Sequence, residues 1–455
     1  MSVSIAALRS LSLEEISSVV WGPATLLLIA GTGLYLMVGL QWMPLRRLGF
    51  ALNAMVASIR TNKSSDQSGE GEVNAFQGLM TALAATIGTG NVAGVAAAIG
   101  AGGPGAVFWM WLAAVLGIAT KYGECMVAVQ FREVDSLRDH VGGPMYAIRN
   151  GLGPSWAWLG IVFALFGTFA GFGIGNGVQA HELASVLSSY GVPPLATGIG
   201  MALITFVVIV GGIRRIGRVA GVVVPVMAGI YVLSALVILL LHIGEIPAAL
   251  QLIVQDAFTG RAAAGGALGV VIQKGIARGV FSNEAGLGTA PIAQASARPG
   301  DPVLQGAVAM LGTVIDTLII CTMTALVIVI SGRYMDSEQG VMLTKSAFDW
   351  ALPGAGHLVS FATVTFTATT ILGWSFYSER CLEFLAGVRP IRWFRLVWVA
   401  VVVIGATASF DVVWLIADIL NGLMAIPNLL SLLLLSPVIF KITREYNFNR
   451  SQAEE

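Results

Sequence analysis

The chain has 455 residues, of which 56% are apolar and only 11% charged, and its mean hydropathy is +0.82. Most of its surface must therefore be solvated by lipid or by itself, which excludes a soluble domain and predicts an all-α polytopic membrane protein. Twenty-five basic residues balance twenty-five acidic ones, leaving no surplus for nucleic acid.

A helix rises 1.5 Å per residue, so crossing a hydrocarbon core takes about 20 residues. On that ruler we count eleven spans, at 19 to 43, 76 to 100, 105 to 131, 156 to 188, 195 to 212, 219 to 243, 264 to 296, 303 to 331, 357 to 385, 394 to 409 and 412 to 440. The first is too long for a signal-peptide core and lacks a convincing cleavage site, so it stays as a spanning helix. The stretch 61 to 74 reads as a polar loop, 246 to 258 as a short surface helix, and Pro427 as a bend in the last span. Cys125, Cys321 and Cys381 have no metal-ligand spacing and read as small core residues.

Alternate loops differ sharply in charge. One set, from Arg46 and Arg47 through Arg132, Arg214, Arg298 and Arg380 to Lys441, holds 18 Lys and Arg; the other, Arg9, Arg261, Arg333 and Lys345, holds 4. Basic loops stay on the cytoplasmic side, which predicts a cytoplasmic-membrane protein with its N-terminus outside and its C-terminus inside.

Two spans break the rule for hydrocarbon. In the second, Ala84 to Gly94 reads AATIGTGNVAG, placing Gly88, Gly90 and Gly94 among the polar Thr86, Thr89 and Asn91. Each glycine costs a helix about 1 kcal/mol relative to Ala. The seventh carries Gly275, Gly279, Gly286 and Gly288. With the first helix set aside, these are core helices 1 and 6 of ten, and they enter from opposite sides. The chain then divides into an N-terminal helix and loop (1–75), a first five-helix repeat (76–243), a second (244–440) and a tail (441–455). Interrupted helices at matching positions of two inverted halves point to a midplane substrate site in a secondary transporter.

Several stretches carry a resemblance: GTGNVAGVAAAIGAGGPGAVFWMW (88 to 111), GGPMYAIRNGLG (142 to 153), GVFSNEAGLGTAPIAQASA (279 to 297), IDTLIICTMTALVI (315 to 328), ILGWSFYSERC (371 to 381) and NGLMAIPNLL (421 to 430). In order and together these resemble the alanine or glycine:cation symporters. The resemblance implies a LeuT-type fold, two inverted repeats of five helices with one extra helix in front, and sodium-coupled uptake of small neutral amino acids such as alanine and glycine. Core helix 3 departs from the family pattern in GIGNGVQAHELA (173 to 184), where Asn is expected at His181 and a bulkier residue at Gly177. That substitution raises a pH response at His181, against a histidine satisfied by backbone.

A zwitterion entering low dielectric needs both charges met. The break in core helix 1 exposes N–H groups at a partly positive half-helix start, so Thr89, Gly90 and Asn91 are the carboxylate side. The break in core helix 6 frees carbonyls, so Phe281, Ser282 and Asn283 are the ammonium side. Gln179 shares a helix face with Gly171 and Gly175, whose small size would bring core helix 3 close to the broken helix and let Gln179 reach the substrate. Phe281 and Trp374 are placed against a small side chain. Sodium wants about five or six oxygens; core helix 8 offers Thr363, Thr365, Thr367, Thr369 and Thr370, with back-bonding to their own helix as the alternative use. The resemblance implies one ion between carbonyls of Ala84 and Ile87 and the hydroxyls of Thr369 and Thr370. A second is read near Thr86, Asn91 and Asp316.

Asp316, inside a span, is a functional candidate by default. Lys121 and Glu124 are spaced to pair, Glu284 to orient the break, and Lys274 and Arg278 to snorkel or guard an entrance. No nucleophile with a base, nor a metal-ligand cluster, suggests an enzyme. The rival readings are proton coupling through Asp316, Glu124 or His181, and an amino-acid sensor that does not transport.

Overall fold

The computed structural model describes residues 12–61, 72–259, 268–298, 300–408 and 410–448. Most of the polar loop expected at 61 to 74, together with Arg9, Lys63, Arg261 and Arg450, lies outside them. Apart from two pairs of two-residue strands, the described residues form helices and their connections.

Among the described residues, seven helices are long and apolar enough to cross a membrane, and the bent pair Ala75–Thr86 and Gly90–Gly102, taken as one span, makes an eighth. The eleven spans are thus not all matched. Core helix 4 (Pro194–Ile209) and core helix 9 (Ile391–Thr407) have only 16 and 17 residues, and core helix 6 is divided into Leu268–Asn283 and Ala290–Ala295. Core helix 10 runs as one helix over Phe410–Glu445 with Pro427 and Pro437 inside it. The surface helix is present at Ile246–Thr259, but one side is buried: Asp256 Oδ2 accepts from the Gly105 N–H at 2.8 Å, docking it on the start of core helix 2 (Ala106–Gln130). Two further helices, Leu48–Thr61 and Gly340–Ala351, were invisible to a spanning-length ruler because they are short and carry polar residues.

The inverted symmetry is visible in the packing. Val73–Asn74, at the start of core helix 1, pairs in parallel with Ala297–Arg298, at the end of core helix 6, so the two helices run in opposite directions. The first half of each packs on the second half of the other. Corresponding helices of the two repeats also meet: core helix 2 against core helix 7 (Pro302–Ser331), core helix 3 (Ala157–Ser188) against core helix 8 (Gly356–Ala386), and 4 against 9. Helices 1, 2, 6 and 7 pack into one group and 3, 4, 8 and 9 into a second, which meets the first where core helix 8 packs on core helix 1.

The loops that charge counting grouped together also meet in space. Arg132 donates to the carbonyls of Ala295 and Ala297, Arg380 pairs with Asp135 and Asp139, and Arg395 donates to the Val210 carbonyl. On the opposite face Lys345 reaches Ser189 and His242 reaches the Ala351 carbonyl.

Close packing of the bundle needs glycine. A Cβ on Gly275 of core helix 6 would sit 2.4 Å from the Ala106 carbonyl oxygen and 2.6 Å from Trp109 Cβ, whereas one on Gly269 would meet nothing within 4 Å. We expect Gly275→Ala to destabilise the protein by about 1–3 kcal/mol through overpacking. Gly269→Ala should leave thermal unfolding in detergent unchanged or slightly raised, since Ala favours helix.

Candidate functional site

Core helix 1 starts with a capping box between Asn74 and Gln77 and loses its helical path at Ile87, whose φ and ψ of −72° and 93° are extended. The chain restarts at Gly90 as a π-helical turn to Gly94, and the two halves meet at 54°. The freed groups are met by side chains. Gly88 N–H donates to Asn91 Oδ1 (2.9 Å), Thr89 N–H to Gln179 Oε1 (3.2 Å), and the Ile87 carbonyl accepts from Thr370 Oγ1 (3.3 Å). Gln179 Nε2 in turn donates to Thr89 Oγ1 at 3.0 Å. Glycine is required here by proximity: a Cβ on Gly88 would lie 2.5 Å from Thr370 Oγ1, and one on Gly90 would lie 3.0 Å from the Ser282 α-carbon. The two broken helices therefore touch backbone to backbone.

Core helix 6 breaks after Asn283. Glu284, Gly286 and Gly288 have φ of 55°, 93° and 76°, a left-handed path that glycine takes freely and glutamate only under constraint. The constraint is visible: Glu284 accepts from Thr289 Oγ1 (2.6 Å) and Trp374 Nε1 (2.7 Å), while its carbonyl accepts from Lys121 Nζ (2.9 Å). The Gly286 carbonyl accepts from Asn428 Nδ2, which also donates to Glu124 (2.6 Å). Lys121 and Glu124 thus each hold the break, and no ion pair joins them among the described residues.

Beside the contact lies a buried polar cluster on a π-helical stretch of core helix 7, Val314–Cys321. Asp316 accepts from Asn91 Nδ2 (2.7 Å), Ser282 Oγ (2.8 Å) and Thr317 Oγ1 (2.7 Å), and Asn283 Nδ2 donates to Thr317 Oγ1 (3.0 Å). One carboxylate therefore joins both breaks to core helix 7. Such a set offers an acceptor-rich environment for a hard cation.

The predicted residues Thr89, Gly90, Asn91, Gln179, Ser282, Asn283, Asp316 and Thr370 are brought together at the breaks. The rest are placed around them. Thr86 back-bonds to the Ala82 and Leu83 carbonyls, and Ala84 is buried one turn before the break. Thr369 donates to carbonyls of its own helix and to Met227 Sδ, facing core helix 5 (Gly212–Leu241); adjacent helical residues point about 100° apart, so it and Thr370 diverge. Thr363, Thr365 and Thr367 back-bond as well. Phe281 is buried beneath the Arg278 guanidinium, and Trp374 is buried with its indole N–H on Glu284.

Gly171 and Gly175 do not face the broken helix. A Cβ on either would strike Ser378 or Trp374 of core helix 8, because the π-helical stretch Phe172–Gly177 rotates the face that four-residue spacing implies. Gly177 packs against Gly405 of core helix 9, which leaves no room for a bulkier residue. His181 Nδ1 lies 3.0 Å from the Ala408 carbonyl, so the backbone supplies its partner.

Sequence reasoning missed several contributors. Thr317 had a signal, standing next to Asp316. Cys321, whose Sγ lies 3.3 Å from Asn91 Nδ2, and Asn428 lie inside stretches that carry the resemblance, 315 to 328 and 421 to 430, but nothing in those stretches pointed to either side chain as a partner of the breaks. Nor did anything point to Asp418, which binds Arg278 through two hydrogen bonds of 2.9 and 3.0 Å.

A model of the "Sodium:alanine symporter family" matches residues 7–455. The chain belongs to this family. Among relatives, it is 47% identical to the sodium/alanine symporter AgcS of Methanococcus maripaludis over 95% of this chain and 96% of that one. It is 33% identical to the probable sodium/glutamine symporter GlnT of Bacillus subtilis, covering 96% and 91%. Among solved structures, MhsT in complex with L-phenylalanine superposes with a TM-score of 0.57 at 12% identity, covering 82% of this chain and 98% of that one. The fold of this symporter-family member is thus the LeuT type, and the protein is a multi-pass membrane transporter rather than an enzyme.

In this transporter the Arg278–Asp418 pair ties core helix 6 to core helix 10 on the face away from the basic loops. With the two side chains 14% and 17% exposed, we expect a double-mutant cycle of Arg278→Gln and Asp418→Asn, read as thermal unfolding in detergent, to give a coupling of about 1 kcal/mol. Additive effects of the two changes would deny the pair an energetic role.

Proposed function

We propose that this chain drives uptake of a small neutral amino acid, alanine or glycine, with the inward flow of sodium, by alternating access of the two inverted repeats, 76–243 and 244–440. The observation that carries the reading is the contact of the two helix breaks at Gly90 and Ser282, with amides, hydroxyls and one carboxylate gathered around it. The carboxylate of the substrate takes the N–H groups of Thr89 and Gly90, displacing the amide oxygen of Gln179, whose Nε2 then faces the substrate. The ammonium takes the carbonyl end of the first half of core helix 6, at Phe281, Ser282 and Asn283. Phe281 and Trp374 bound the side-chain space, and overpacking rejects a branched side chain. Sodium binds at the Ile87 and Ala84 carbonyls with Thr370, and a second ion is served by Asn91, Thr86 and Asp316. Support for alanine comes from the name of the 47% identical relative. The excess of Lys and Arg in one set of loops supports a cytoplasmic-membrane location with the N-terminus outside.

The deciding experiment is uptake of labelled alanine into proteoliposomes under an inward gradient of sodium, of protons, or of neither. Accumulation that requires sodium and is competed by glycine is expected; accumulation on a proton gradient alone would move coupling to the buried acids, and no accumulation would remove the substrate assignment. Losing one ligand oxygen costs about 1–3 kcal/mol, so Thr370→Ala should raise the sodium requirement about tenfold or more. Thr369→Ala, turned away from the break, should change it little. Equal effects would contradict the assignment of Thr370.

A further inference from the structure

On the face of the basic loops, away from the two helix breaks, lies a cavity of about 320 Å³ lined by none of the residues named at those breaks. It sits where the turn between core helices 4 and 5, the 133–141 hairpin and the turn between core helices 8 and 9 converge. Its lining includes Arg214, Arg380, Arg389, Arg392 and Arg395, against Asp139 and Glu379. Two of the five arginines are engaged. Arg395 forms a bidentate pair with Glu379 at 2.6 and 2.8 Å, and Arg380 is shared among Asp135, Asp139 and Glu383. Arg214, Arg389 and Arg392 are exposed and make no hydrogen bond or ion pair among the described residues. Arg380, only 5% exposed, keeps a buried Nε without a partner. Arg392 lies over the Trp393 ring, 5.4 Å from its centroid, a contact through the guanidinium face. A concave site with three guanidinium groups whose N–H donors make no hydrogen bond among the described residues, and one orphaned buried donor, is matched to a phosphate, whose oxygens take the guanidinium fork in pairs.

The surroundings say where that phosphate comes from. Trp393, beside Arg392, is 61% exposed, and Leu396 and Val397 one turn along are 48% and 52% exposed; Val207 and Val210 at the end of core helix 4 are 63% and 52% exposed. An indole next to arginines, with bare aliphatic side chains deeper on both helices, is the pattern of a membrane interface, headgroup level above acyl level. We propose that this cavity binds the phosphate headgroup of an anionic phospholipid, its chains lying on the aliphatic faces of core helices 4 and 9. Because Arg380 also anchors the 133–141 hairpin to core helix 8, the bound headgroup braces that hairpin.

The test is thermal unfolding of the full-length purified protein in detergent, titrated with phosphatidylglycerol or with phosphatidylcholine. Phosphatidylglycerol is expected to raise the melting temperature of the wild type. In the triple variant R214Q/R389Q/R392Q the concentration giving half that rise should increase at least about tenfold, as loss of charge-assisted hydrogen bonds implies. The lysine triple R214K/R389K/R392K should recover part of it, and R60Q/K441Q/R444Q, which removes equal charge elsewhere on the same face, should behave as wild type. Unfolding in phosphatidylcholine checks that each variant is folded. Equal losses in both glutamine triples would reduce the effect to diffuse surface attraction and overturn the site. The same stabilisation from inorganic phosphate without lipid would make it a free-anion site and overturn the lipid assignment. None of these readouts depends on sodium or alanine transport.

Discussion

Every peptide group at the depth of a bilayer must find a partner, and the whole arrangement follows from how this chain meets that demand at two places where it abandons helix. At Ile87 to Gly90 the partners are Asn91, Gln179 and Thr370, drawn from core helices 1, 3 and 8. At Glu284 to Gly288 they are Lys121 and Asn428, from core helices 2 and 10. Breaking two helices therefore obliges at least four others to turn polar groups inward at one level. Such a level suits the zwitterion proposed as substrate, because the groups that satisfy backbone amides and carbonyls are of the same kinds that satisfy a carboxylate and an ammonium.

Asp316 links the two breaks. By accepting from Asn91 on one broken helix and Ser282 on the other, it makes the position of core helix 1 depend on that of core helix 6. Inverted symmetry adds a mechanical consequence: the start of one helix is pinned to the end of the other by Val73 and Ala297 at one face, while Arg278 and Asp418 hold the opposite end of core helix 6. Core helix 6 is thus held at one face by core helix 1 and towards the other by core helix 10, a geometry suited to opening one side while the other is held.

Much of this was legible in order along the chain. Glycines interleaved with Thr and Asn inside an apolar run announce a break, and Gly286 and Gly288 do take left-handed conformations. Charge asymmetry sorted the loops into two sets that do meet among themselves. Helix ends were less readable: core helices 4 and 9 have only 16 and 17 residues, shorter than a spanning ruler demands, although Leu203, Ile204 and Val207 on one and Leu396, Val397 and Ile404 on the other leave an outward apolar face bare. Back-bonding takes Thr363, Thr365, Thr367 and Thr369, and Thr370 is the member of the threonine run whose hydroxyl leaves the helix for the break.

What the sequence determined by itself is the class of molecule, the two interruptions and the residue types that answer them, because hydrophobicity, helix propensity and hydrogen-bonding capacity are local properties of side chains. Only the tertiary structure decided which of those residues meet. A π-helical turn in core helix 3 adds a residue to the helical count and turns Gly175 onto Trp374 while keeping Gln179 at Thr89. Asn428 and Asp418 become partners of core helix 6 only through packing across about 140 residues of chain. Facing direction across helices is a collective outcome of close packing, and no stretch of sequence carries it alone.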